Sequence, residues 1–161
     1  MARSLIVMNS KTSKHDHNDC IDSAMEMAES LCEKKGLRFT KIRRRVLELV
    51  WNNHQAIKAY DILEMLQKEH VSAKPPTAYR ALDFLLEHGF IHRIESLNAY
   101  IGCPHPQHLH SFQLLICNQC GLVKEMDKPD LSTKLDNYAK EYEFSLVSQV
   151  VELHGLCKKC A

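Results

Sequence analysis

Cys117-Asn118-Gln119-Cys120-Gly121 and Cys157-Lys158-Lys159-Cys160 are two Cys-x-x-Cys pairs. Each pair can present two thiolates from a single turn, and four thiolates suit a closed tetrahedral Zn²⁺ site. The gap between the pairs is wider than in a compact zinc ribbon, so a metal here would tie distant segments together. Gly121 suits a tight turn directly after the first pair, where a side chain would be strained. The bland alternatives are two disulfides or four buried free thiols. A chain destined for a reducing compartment favours structural zinc over both.

A second donor set is chemically different. His92, Cys103, His110 and Glu125 offer nitrogen, sulfur and carboxylate oxygen. One thiolate among harder donors still leans toward zinc over magnesium or calcium. Such a site carries less thiolate charge than a four-cysteine site and is more readily emptied. One tight site beside one adjustable site is what a metal sensor needs. A lone His is most often a solvated imidazole, but Cys103, His105, His108 and His110 crowd one short stretch. His105 and His108 stand as alternatives to His110.

The elements that must position these donors fit a chain of 161 residues, enough for one ordinary domain or two small ones. Apolar residues at 45% suffice for a core, and five Gly with five Pro exclude a low-complexity chain. No apolar run approaches the ~18 residues of a membrane span. The apolar stretch within Met1 to Met8 is too short for a signal-peptide core. A cytoplasmic location is therefore expected, where seven cysteines mean metal or redox chemistry. The net charge of +1 gives no hint of nucleic acid. Its distribution does, because Lys34, Lys35, Arg38, Lys41, Arg43, Arg44 and Arg45 follow one another without an acidic residue. They read either as a solvated helix face or as a phosphate-contacting patch.

Residues 1–18 are polar and lack a helical stripe, so a mobile tail is expected. From Asp19, the spacing of Ile21, Met25, Ala28, Leu31 and Cys32 predicts an amphipathic helix that Gly36 ends. Cys20 and Cys32 then read as helix residues, not ligands. Thr40 caps a second helix with Ile42, Val46, Leu49 and Val50 inward. A third spans Ala59 to Lys68 and buries Ile62, Leu63 and Leu66. Pro75 and Pro76 favour a helix start there, with Ala78, Leu82, Leu85 and Leu86 inward. Pro76, Arg80, Asp83 and Glu87 fall on the opposite face, and Gly89 closes the helix.

A hairpin of Ile91–Glu95 and Asn98–Ile101 completes a winged helix-turn-helix, whose fourth helix enters the major groove. Arg80 can donate two hydrogen bonds to a guanine, or form a surface ion pair with Asp83 or Glu87. Periodicity then changes. Phe112–Ile116, Leu122–Met126 and Ser145–Leu153 read as strands, and Asp130–Glu141 as a helix using Leu131, Leu135 and Tyr138. A unit this small has a marginal core, which a zinc clamp and a second copy of the chain would support. The fold class is α+β: a winged-helix DNA-binding domain at 19–101, a ligand-bearing hinge at 102–111 and a small α/β dimerisation domain with zinc at 112–161.

Lys74-Pro75-Pro76-Thr77-Ala78-Tyr79-Arg80-Ala81-Leu82-Asp83-Phe84-Leu85, the paired Cys-x-x-Cys motifs and His154-Gly155-Leu156-Cys157 carry a resemblance. Over about residues 20 to 160 the chain resembles the ferric uptake regulator family, most closely its zinc uptake regulator branch. The resemblance implies a homodimeric, zinc-dependent repressor of zinc-uptake genes that binds AT-rich inverted-repeat operators. It implies a structural zinc on Cys117, Cys120, Cys157 and Cys160, and a regulatory zinc on His92, Cys103, His110 and Glu125, two zinc ions per chain. It places DNA contacts at Tyr60 and Arg80, with Thr77 and Tyr79 on the recognition helix. A His used by iron- and peroxide-sensing relatives aligns near Ala56, and another near Gln149. Both are missing, which favours zinc over iron or peroxide sensing; a family sensor of another metal (iron, nickel or manganese) or of peroxide is the alternative. No membrane or small-molecule substrate is implied.

An enzymatic reading as a zinc nucleobase deaminase needs His-x-Glu and Pro-Cys-x-x-Cys. No His here has Glu two places on, and Ile116 precedes Cys117. A thioredoxin-like role lacks its βαβ context. A zinc-stabilised interaction module without DNA binding leaves the Pro-capped helix unexplained.

Overall fold

The computed structural model describes residues 17–52, 55–69, 74–106 and 112–161. The expectation for the tail falls outside them up to residue 16, and so does that for His110. Helix α1 (His17–Lys34) begins two residues before the expected Asp19. It buries Met25, Ala28 and Cys32. Gly36 stops it with φ +64°, while the Gly36 and Leu37 amides donate back to Glu33 and Cys32. That pair of bonds satisfies carbonyls that the last turn leaves over, and only glycine adopts this φ without strain.

Thr40 caps α2 (Lys41–Trp51), its hydroxyl accepting from the Arg43 amide at 3.3 Å. Strand β1 (Ile57–Lys58) leads into α3 (Ala59–Glu69), followed by α4 (Pro75–Glu87) with proline in its first turn. Helix α4 buries Ala78, Ala81, Leu82, Phe84 and Leu85. Ala81 and Phe84 thus widen the expected stripe, because α2 and α3 both pack against this helix. The wing is β2 (Ile91–Ile94) and β3 (Ala99–Gly102), paired from Ile91↔Gly102 to Ile94↔Ala99. Strand β1 adds to β3 and makes a three-stranded sheet in the order β1-β3-β2. Two residues are too few to leave a periodic signal, so sequence reading missed β1.

The basic run divides between its two readings. Arg44 pairs with Glu29 of α1 and with Glu48, and Arg45 pairs with Glu48 and with Glu69 of α3. Arg43 lies 3.5 Å from the Phe84 ring centre and donates to the Arg38 carbonyl. These three arginines tie α2 to its neighbours. Lys34, Lys35, Arg38 and Lys41 are exposed.

The second unit holds β4 (Gln113–Cys117), β5 (Val123–Met126), α5 (Pro129–Glu141) and β6 (Val151–Gly155). Strand β4 runs antiparallel to β5 and parallel to β6, giving the order β5-β4-β6. The strand expected from Ser145 is confined to Val151–Gly155, and Val147 is fully exposed. Helix α5 buries none of its residues, so the expected inward use of Leu131, Leu135 and Tyr138 is not made within one chain. Gln113 anchors its start instead, accepting from the Lys128 amide at 3.0 Å and donating to Ser132 Oγ at 3.3 Å.

The inner face of this sheet is covered by the wing. Ile94, Leu114, Ile116 and Val123 form one buried cluster, against which Ala56, Ile101 and Phe112 pack. Gly102 joins the two units and lies flat against the Trp51 indole, which a Cβ at this position would overlap. Gly102→Ala should therefore displace Trp51 or the backbone leading to Cys103. A loss of roughly 1–3 kcal/mol is expected from overpacking, measurable by denaturant unfolding.

Candidate metal centres and nucleic-acid face

The parallel pairing of β4 with β6 matches Cys117 to Gly155, so both strands end at the same edge of the sheet. There each chain segment turns back on itself. The Gly121 amide donates to the Cys117 carbonyl, with Gly121 at φ +71°, and the Cys160 and Ala161 amides donate to the Cys157 carbonyl. Two such turns bring the Cys117, Cys120, Cys157 and Cys160 sulfurs within 4.8 Å of one another. The Cys120 and Cys157 sulfurs are 3.7 Å apart. A tetrahedral Zn–S site with bonds near 2.3 Å has an S···S edge of about 3.8 Å, whereas a disulfide needs about 2.0 Å. All four cysteines are free, and the donor set fits zinc.

Backbone amides already bias this cluster toward thiolates. The Cys120 amide, and after it the Cys157 amide, hold the Cys117 thiol down to about 6. The Cys157 amide donates to Cys117 Sγ at 3.4 Å. Cys157 is lowered as well, first by the Lys159 amide. Cys160 donates toward Cys157 and is pushed up to about 12.

The second cluster straddles the two units. His92 comes from β2, Cys103 from the segment just past β3, and Glu125 from β5. Their donor atoms also lie within 4.8 Å of one another, with His92 Nε2 and Glu125 Oε2 3.4 Å apart. His92 and Cys103 are buried, and the His92 ring lies against Phe112 with centroids 3.7 Å apart. Of the sequence-predicted donors, His92, Cys103 and Glu125 are brought together. His108 and His110 lie outside the described residues. His105 is described but stands apart from the cluster, giving the Cys103 sulfur its backbone amide. Nitrogen, sulfur and carboxylate in a buried, water-poor pocket fit a divalent ion with some softness, zinc before magnesium.

Burial pushes the Cys103 thiol up to about 12, and the nearby Glu125 carboxylate adds to it. A metal must therefore displace a proton from this sulfur. Apparent affinity at this site should rise between pH 6.5 and 7.5, by up to about tenfold for the one proton lost. Competition with a chromophoric chelator would measure it. At the other cluster, a structural metal would couple binding to folding, and Cys157→Ser should then lose metal and soluble protein together. Metal analysis and gel filtration would read both.

The outer face of α4 is open. Arg80, Asp83 and Glu87 are exposed, Tyr79 is 50% exposed, and Thr77 is half-buried in the first turn. Tyr60 at the start of α3 is 72% exposed. Among the described residues Arg80 forms no ion pair with Asp83 or Glu87, and it is exposed. A helix first turn beside an arginine and two tyrosines can meet phosphates and base edges. Sequence reading did not single out Glu152, whose side chain is only 9% exposed within β6.

Residues 34–154 match the family model of the ferric uptake regulator family. The zinc uptake regulation protein of Escherichia coli (strain K12) is 42% identical over 137 residues, which are 84% of this chain and 80% of that protein. A solved zinc uptake regulator complexed with zinc and DNA superposes with a TM-score of 0.82 at 39% identity, covering 86% of this chain and 93% of the other. The structure of holo XcZur gives 0.80 at 40% identity, covering 86% and 96%. That of apo XcZur gives only 0.53 at 41% identity, covering 88% and 98%.

Proposed function

The chain belongs to the ferric uptake regulator family, and on that premise we propose that it is a zinc-responsive transcriptional repressor. In this reading it binds operator DNA as a homodimer when zinc fills the site of His92, Cys103, Glu125 and, from outside the described residues, His110. It is a regulator and not an enzyme. One observation carries the reading. The donors that straddle the two units are already together, and the arrangement follows a relative's holo form and a zinc-and-DNA complex, not the apo form.

Zinc bound at this site would supply a Lewis-acidic centre holding nitrogen, sulfur and oxygen donors at once. The rest follows from the chain's own residues. His92 belongs to the wing and Glu125 to the small unit, so bringing them together fixes the angle between the units. That angle sets where each α4 of a dimer stands, and two recognition helices must match successive major grooves. Arg80 then reads a base edge, while Tyr60, Thr77 and Tyr79 meet backbone or base methyls. By linkage, operator DNA tightens zinc binding by the factor by which zinc tightens DNA binding.

Ala56 packs on the apolar cluster and offers no donor. Gln149 donates its side-chain amide to the Ser132 carbonyl at 3.1 Å. Neither position adds a ligand of the iron- or peroxide-sensing kind. Tyr138, Tyr142, Phe144, Val147 and Val150 are all exposed on and after α5. A second copy of the chain would cover such apolar side chains. AT-rich inverted repeats near zinc-uptake genes, two zinc ions per chain and a cytoplasmic location complete the proposal. Among the described residues no helix is long and apolar enough to cross a membrane.

The test is metal content per chain before and after mild chelation, with operator binding measured in each state. Two zinc ions falling to one, with loss of specific binding, are expected; unchanged binding at one zinc would sink the reading. Cys103→Ser should keep the dimer and the four-cysteine zinc but lose zinc-dependent operator binding. Weak, salt-sensitive DNA binding should persist. Arg80→Ala should cost roughly 1–3 kcal/mol at the operator and relax sequence preference. Uniform weakening on all duplexes would make Arg80 a phosphate contact instead.

A further inference from the structure

The wing touches the small unit at a second point, away from the metal donors. Glu152 of β6 has a side chain only 9% exposed. Its Oε1 accepts from the Glu95 amide at 2.6 Å, and its Oε2 from the Ser96 amide at 3.2 Å. Both amides belong to the turn joining β2 to β3. Leu114 of β4 pairs with Glu125 on one side and with Glu152 on the other. The two carboxylates therefore share one rung and one face of the sheet, roughly 10 Å apart across two strand spacings. Glu125 meets His92 on β2, while Glu152 holds the tip of the same hairpin.

A carboxylate removed from water is costly unless its oxygens are satisfied. Burial by itself pushes the Glu152 carboxyl up. The Ser96 hydroxyl and the two wing amides outweigh it and hold the group below its ordinary value. The neighbouring side is braced as well. His154 Nε2 stands 3.7 Å from Glu152 Oε2, and His154 Nδ1 is 3.2 Å from Asn118 Oδ1, the residue after Cys117. The four-cysteine clamp and the wing are thus linked through β6.

We propose that Glu152 is a metal-independent clasp on the wing turn, a positioning residue that biases the two units toward the DNA-binding arrangement and so sets the zinc concentration at which the chain responds. The inference rests on the zinc-sensing reading above and adds a determinant of its threshold. A ligand that binds only one arrangement loses apparent affinity in proportion to how rarely that arrangement is populated. Releasing the turn lowers that population. The donors of the regulatory site must then be gathered at zinc's expense.

The experiment compares wild type with Glu152→Ala and Glu152→Gln, each as the dimer keeping its four-cysteine zinc. Titration of zinc against a competing chelator gives the free zinc that half-fills the second site. Hydrogen exchange at the Glu95 and Ser96 amides is followed with that site emptied. Glu152→Ala should need roughly tenfold more zinc, the scale of a hydrogen bond to a charged group. Its two amides should exchange freely where those of wild type are protected. Glu152→Gln keeps one carbonyl acceptor and should shift the titration by roughly threefold; it carries the same test if the alanine variant does not fold. Half-filling within about twofold of wild type, or equal exchange in wild type and variants, overturns the clasp. A wild type that takes up only one zinc per chain would sink the zinc-sensing reading, and the exchange measurement would still decide the clasp.

Discussion

Four sulfurs meet at the common end of β4 and β6, in a unit whose own core is slight. Its helix buries nothing within one chain, and the buried side chains of its sheet reduce to Gln113, Leu114, Ile116, Cys117 and Val123. Parallel strands need a crossover, and this one returns through a helix that barely packs. The four sulfurs lie at the two ends of that long loop, at the point where β4 and β6 finish together. Glu125, Leu114, Ile116, Val123 and Glu152, which the small unit offers the wing, are carried on these strands or on β5 beside them.

The junction between units combines three kinds of contact. An apolar cluster joins Ile94 and Ile101 of the wing to Leu114, Ile116 and Val123. Donors from both sides meet at His92, Cys103 and Glu125. A carboxylate grips the wing turn at Glu95 and Ser96. Apolar contact is non-directional and tolerates several angles. Donor geometry and charged hydrogen bonds do not. The junction is therefore adhesive in one part and angle-selective in the others. The winged unit needs no such help, since its helices bury one continuous core and arginines of α2 tie it to α1 and α3.

The helices of the winged unit were legible from their apolar stripes, and two of them from a glycine stop as well. Gly36 and Gly89 have the positive φ that a helix exit favours, and Thr40 caps α2 as its spacing implies. The two-residue β1 was not legible, being too short to show alternation. The strand expected from Ser145 failed for a different reason. Val147 and Val150 have the composition of a strand, but among the described residues no neighbour covers them. β-propensity expresses packing against neighbours more than any preference of the backbone.

By itself the sequence determined which donors exist and how they are grouped locally, because Cys-x-x-Cys spacing and helix periodicity are properties of a few consecutive residues. It also separated a four-thiolate set from a mixed one, since ligand chemistry resides in the side chains. Only the tertiary structure decided that Arg44 and Arg45 bind acidic partners on other helices. Only it placed Glu125 and Glu152 on the same rung, facing opposite ends of one hairpin. Those relations depend on strand order and on a parallel pairing between β4 and β6, which no local pattern encodes. Such a pairing forms only when loop closure and packing across the whole chain favour it.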